Sequence, residues 1–160
     1  DVIEGFVDGC EGITVGAIIL GFAVTLGNVS SALGTAGFIV RTTSGWIVPF
    51  LLPALFFLIT MFISFSTGTS WGTYAVVLPI AMPLAYSVHP DSFFNLLCFS
   101  AVTGGSVWGD NCSPISDTTI LSSLSTGTDL MDHVFTQLPL ATTAAGLSLI
   151  FYTAVAFFFT

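Results

Sequence analysis

"GGSVWGDNCSPISDTTILSS", residues 104–123, decides how this sequence folds. It sets two carboxylates, Asp110 and Asp117, among Gly, Asn, Ser and Pro, with apolar runs on either side. In water this would be an ordinary loop. In lipid an ionisable side chain is expensive, and where one occurs it generally lines an ion or proton path. The solvent around the stretch has to be settled first, and the rest of the chain settles it.

Of the 160 residues, 54% are hydrophobic and only 6% are charged. A soluble domain carries about 25% charged residues. The mean hydropathy is +0.99. The runs "GITVGAIILGFAVTLG", "WIVPFLLPALFFLITMFISF", "WGTYAVVLPIAMPLAYSV" and "LPLATTAAGLSLIFYTAVAFFF" lie near the roughly 20 apolar residues that a spanning helix needs. The composition is that of an all-α integral membrane protein, with the lipid bilayer as its surroundings. Nine acids against one base, Arg41, give a net charge of −8, which excludes nucleic acid as a partner. Nor is there a basic patch to hold an anionic membrane surface. Cys10, Cys98 and Cys112 are odd in number and widely spaced, so neither a disulfide scaffold nor a zinc site is expected. The chain opens on Asp1 without a basic leader and reads as part of a longer polypeptide. One base leaves its membrane orientation undetermined.

Polar interruptions divide the chain. Residues 13–40 read as a helix interrupted by "GNVSSALGTAG", and "RTTSG" is a turn at the interface. Residues 46–88 hold two apolar arms around "STGTSWGT", residues 66–73, with no charge between them. A connection that reached bulk water would carry some, so a re-entrant helical hairpin is expected. Pro49 and Pro53 fall in the first turns of its first arm, where a missing N–H costs least. After the water-facing turn "HPDS", residues 93–125 read as a transmembrane helix broken by the opening stretch. "STGTDLMDH" reads as an aqueous loop, and residues 134–160 as the closing transmembrane helix.

The two breaks carry the chemistry. Non-helical backbone is tolerated in a membrane only inside protein or beside a wet cavity. Gly109 and Pro114 predict non-helical backbone from Trp108 to Ser116, leaving one half-helix ending in free carbonyls and the next beginning in free N–H groups. Broken helices of this kind hold ions in secondary transporters. The side chains suit a hard cation, which binds carboxylate, carbonyl and hydroxyl oxygens. Asp110, Asn111, Ser113, Ser116, Asp117, Thr118 and Thr119 offer such oxygens at the break. Ser66, Thr67, Thr69 and Ser70 offer them at the hairpin tip. Gly68, Gly72 and Gly109 allow backbone to come close. Asp110, Asp117, Thr69 and Ser70 form the expected sodium set. A carboxylate that takes either a proton or a cation is the minimal chemistry of an antiporter.

Blander roles exist for several of these residues. Asp117 or Ser116 can cap the second half-helix, and the tip can be a tight turn. Asp110 follows an apolar half-helix whose C-terminus disfavours an anion, so capping does not explain it. Trp71 and Trp108 read as cavity walls, His133 as interfacial, Gln137 as a hydrogen-bonding group near the last span, and Asp91 and Asp129 as solvated loop charge.

"STGTSWGTYAVVLPIAMPLA" followed by "GDNCSPISDTTILSSLSTGTDLMDHVFTQLPLA" closely resembles the C-terminal part of the NhaC-type sodium/proton antiporters of the ion transporter superfamily. "LGTAGFIV" fits the same family more loosely. The resemblance implies two inverted repeats, each with a re-entrant hairpin and a broken helix meeting at the bilayer midplane. This chain would be the second repeat, with its partner half lying upstream and a homodimer as an open arrangement. It further implies a multi-pass protein of the cell membrane that exchanges sodium or lithium for protons. Sodium is then a transported substrate, and no cofactor is expected. The alternatives are sodium- or proton-coupled exchange of a small organic acid such as malate or lactate, and a non-catalytic membrane subunit or fragment.

Overall fold

The computed structural model describes residues 48–159 without interruption, together with isolated positions among residues 3–41. The expected interrupted helix 13–40 lies largely outside the described residues. From Val48 onward the chain is helical: a 3₁₀ turn Pro49–Leu51, α1 Leu52–Thr67, α2 Ser70–Val88, α3 Ser92–Cys112, α4 Asp117–Thr126 and α5 Leu130–Phe159. Among the described residues three helices, Pro49–Thr67, Ser70–Val88 and Leu130–Phe159, are long and apolar enough to cross a membrane.

The ends of α1 and α2 explain the hairpin. Pro49 and Pro53 sit at the start, where no helical N–H is lost. Gly68 stops α1 in the left-handed conformation (φ 68°), its N–H donating to the Ser64 carbonyl at 2.8 Å. Thr69 then caps α2, accepting from the Gly72 N–H at 3.3 Å. Only Gly68 and Thr69 separate the arms. α2 runs on through Pro79 and Pro83 to Val88, and Asp91 caps α3 by accepting from the Phe94 N–H at 3.0 Å.

Two boundaries differ from those read in the sequence. The break begins at Ser113 rather than at Gly109, because α3 stays helical through Cys112. Gly109 serves close packing instead of helix breaking. A Cβ there would meet Ser64 Cβ at 2.5 Å and the backbone of Met61 and Phe65 on α1. One turn earlier, a Cβ at Gly105 would run into the Phe57 carbonyl and Thr60 Oγ1. This Gly-xxx-Gly face lets α3 lie against the α1 backbone, the usual device for helix pairs in membranes. The second difference is at α5, which begins at Leu130 and so includes Asp132 and His133 in its first turn. Asp129 is the reason: its carboxylate accepts from the Met131 N–H at 2.9 Å and caps the helix.

The core lies between the hairpin and α3. Leu52 and Phe56 of α1, Val77, Ala81, Leu84 and Ala85 of α2, and Phe94, Cys98 and Val102 of α3 form one buried cluster. Phe57, Ala101 and Ala145 form a second, with Trp108 and Tyr152 against it. α5 runs antiparallel to α1 and α3. Phe50 meets Phe157 at 5.7 Å, Phe93 meets Phe159 at 4.6 Å, and the Tyr152 hydroxyl donates to the Ser100 carbonyl at 2.9 Å. At about 1.5 Å per residue, α5 is roughly 45 Å long and the first arm roughly 28 Å. The hairpin tip therefore ends roughly 15 Å short of the start of α5, level with the break after α3. α4 packs against α5.

Gly109→Ala should destabilise the protein by about 2 kcal/mol or more, because neither backbone nor Ser64 has room to yield. Gly146→Ala on α5, where nothing lies within 4 Å, should be neutral or stabilising by up to about 1 kcal/mol. Thermal unfolding of the detergent-solubilised protein checks both: the first lowers Tm and the second does not.

Candidate functional site

The close packing of α3 on α1 puts the last turn of α3 beside the hairpin tip. Asp110 sits on that turn and is only 8% exposed. Its Oδ2 accepts from the Ser70 hydroxyl at 2.9 Å, and its Oδ1 from the Ser116 hydroxyl at 2.6 Å. Ser70 is the first residue of α2 and Ser116 immediately precedes α4. One carboxylate thus gathers three segments, and its described partners are hydroxyls alone. Hydroxyl bonds to an ionised acceptor are about twice as strong as neutral ones.

A second ring of oxygens surrounds this clasp. Thr118 Oγ1 lies 2.8 Å from Ser116 Oγ. The Thr119 hydroxyl contacts the carbonyls of Asp110 and Asn111 at 3.2 and 3.3 Å, satisfying the open end of α3. Ser113 is fully buried and shapes the break, its carbonyl accepting from the Ser116 N–H at 3.2 Å. Ile115 lies over Gly68, where a Cβ would stand 2.9 Å from its backbone carbon and oxygen. Tip and break are therefore in direct contact. The donors are carboxylate, hydroxyl and carbonyl oxygens. Among the described residues there is no group of three His, Cys, Asp or Glu that could hold a metal ion.

Other expected site residues stand apart. Asp117 is exposed on the first turn of α4, and its Oδ1 accepts from the Thr118 N–H at 2.9 Å. Ser116 occupies the cap position, yet its hydroxyl turns to Asp110 instead of capping. Asn111 is exposed. Ser66 and Thr67 are exposed and fold back onto the Phe62 and Ile63 carbonyls at 2.7 and 2.9 Å. Thr69 caps α2, and Gly72 leaves room for its methyl, which a Cβ would meet at 2.7 Å.

Two buried serines escaped the sequence reading. Ser64 of α1 donates to the Ser106 carbonyl on α3 and lies 3.4 Å from the Thr69 carbonyl at the tip. Both Ser64 and Ser106 are fully buried. Their only sequence signal is a lone hydroxyl within an apolar run, which ordinary helix interiors also show.

Residues 2–157 match the model of the Na+/H+ antiporter family. The chain belongs to that family. Its relatives include an uncharacterized protein of Haemophilus influenzae, 40% identical over 98% of this chain and 30% of its own length. The malate-2H(+)/Na(+)-lactate antiporter of Bacillus subtilis is 30% identical over 99% of this chain and 32% of its own length. An uncharacterized Na(+)/H(+) antiporter of Haemophilus influenzae is 37% identical over 51% of this chain and 18% of its own length. The chain spans about a third of the length of the first two relatives. No solved structure matches it. Antiporter membership and the three apolar helices make it a multi-pass membrane protein. The exposed apolar face of α5, with Leu140, Leu147 and Ile150, suits that surrounding.

Gly68→Ala should lower Tm, since a side chain at positive φ costs about 1–2 kcal/mol before any clash. Adding Ile115→Ala should not restore it, because the close atoms include the Ile115 backbone. Full recovery in the double variant would show that the tip and break meet only through side chains.

Proposed function

We propose that the protein is part of a sodium/proton exchanger whose shared ion site is Asp110. The observation that carries this is the buried carboxylate held between Ser70 and Ser116. A hydroxyl can donate to an ionised carboxylate and can equally turn a lone pair towards a cation. With the carboxylate ionised, Asp110, Ser70 and Ser116 offer sodium a negative, all-oxygen environment. A proton on Asp110 removes the charge that holds the cation. Occupancy by one ion therefore excludes the other, which is what exchange requires.

The remaining expectations join this reading. Asp117, exposed on the first turn of α4, draws cations towards the site, and Thr118 and Thr119 hold the second ring of oxygens around it. The charge-free tip, residues 66–73, supports a re-entrant hairpin with the site inside the membrane. A second, inverted repeat would complete the cavity, and pairing into a homodimer is compatible with the free face of α5. The likeness to a malate-2H(+)/Na(+)-lactate antiporter supports a second reading, in which an organic acid moves with these ions.

Asp110→Asn should abolish sodium-dependent proton movement in everted vesicles while leaving the protein in the membrane. Unchanged exchange at equal abundance would refute the assignment. In proteoliposomes, half-saturating sodium should rise as pH falls, because a proton and the cation compete for one site. A value independent of pH would refute a shared site. Transport that needs a carboxylic acid at every pH would favour the organic-acid reading.

A further inference from the structure

The described hydroxyls of α1 fall into two groups. Thr60, Ser66 and Thr67 donate to carbonyls of their own helix. Ser64 reaches outside it, to the Ser106 carbonyl on α3 and to the Thr69 carbonyl at the tip. Both acceptors neighbour the ion site. Ser106 lies one helical turn before Asp110 on α3, so its carbonyl is the regular partner of the Asp110 N–H. Thr69 directly precedes Ser70, whose hydroxyl holds Asp110 Oδ2 at 2.9 Å.

We infer that Ser64 is a positioning residue that sets the spacing of the Asp110–Ser70 pair and thereby the size preference of the cation site. This rests on the reading of Asp110 as that site. One hydroxyl touches the turn that carries the carboxylate and the residue next to its hydroxyl partner. The latch cannot shift freely, because Ser64 Cβ packs over Gly109, where an added Cβ would stand 2.5 Å away. Packing alone would hold the helices near each other. The hydroxyl fixes their register along the seam, and a fixed spacing of oxygens is one means by which a site tells cations apart by size.

The variants Ser64→Ala, Ser64→Cys and Thr60→Val test this in proteoliposomes of the full-length protein, with half-saturating sodium and lithium and the maximal rate measured for each. Ser64→Ala keeps the packing small but removes the latch. It should raise half-saturating sodium about tenfold, bring the sodium and lithium values together, and leave the maximal rate within about twofold. Ser64→Cys, with its weak donor, should fall between wild type and Ser64→Ala, and it carries the test if the alanine variant does not accumulate. Thr60 is equally buried but bonded within its own helix, so Thr60→Val should leave the lithium-to-sodium ratio unchanged. A wild-type ratio in both Ser64 variants overturns the inference, as does an equal change in Thr60→Val, which would mark general seam packing. Wild-type protein without sodium-dependent exchange would overturn the underlying reading of Asp110, and this inference with it.

Discussion

The close approach of α3 to α1 is the constraint on which the rest depends. Lipid is as apolar as the side chains themselves, so helices in a membrane gain little from merely hiding apolar surface and must pack closely or hydrogen-bond. Gly105 and Gly109 provide the packing, with the α1 backbone where their side chains would be. Ser64 provides a hydrogen bond across the same seam. Because the two helices run side by side, the end of α1 falls level with the end of α3. The hairpin tip and the helix break are neighbours for that reason, and Ser70 can reach a carboxylate 40 residues away in sequence.

The site built on this seam contains one buried acid and a set of hydroxyls that can serve two masters. Charge at Asp110 is tolerable inside the protein only while something answers it. The Ser70 and Ser116 hydroxyls do so in the structure described, and a sodium ion or a proton would do so in the proposed exchanger. The three segments that meet at the carboxylate would then respond together to a change of occupant. Asp117, on the exposed side of α4, lies under a different rule: at a helix N-terminus its charge is favourable, and it does not need burial or a cation to be stable.

Much of this was legible in the sequence, for physical reasons that can be named. The hairpin showed because two apolar arms meet at a charge-free Ser/Thr/Gly tip, and the structure turns there on Gly68 and Thr69 alone. The break showed because Pro114 cannot continue a helix. Gly109 was misread as part of that break, since a glycine that loosens a helix and one that lets another helix approach look alike in one dimension. The start of α5 was placed too late because Asp129 and Asp132 read as loop charge, whereas Asp129 caps the helix that contains Asp132. That Asp117 can serve its helix end and Asp110 cannot was legible, but which of the two is buried was not. They are seven residues apart across a break, and only its turn decides which side each faces. Ser64 was invisible because a buried serine bonded to its own helix and one bonded across a seam have the same letter.

Exchange at this site turns on whether one carboxyl group trades a proton for sodium. Infrared difference spectroscopy of the full-length protein, with and without sodium at acid pH, observes that exchange directly. Sodium should remove a protonated-carboxyl C=O band and bring in a carboxylate band, and the pair of changes should be absent in Asp110→Asn. A carboxyl band at Asp110 that is indifferent to saturating sodium would contradict this.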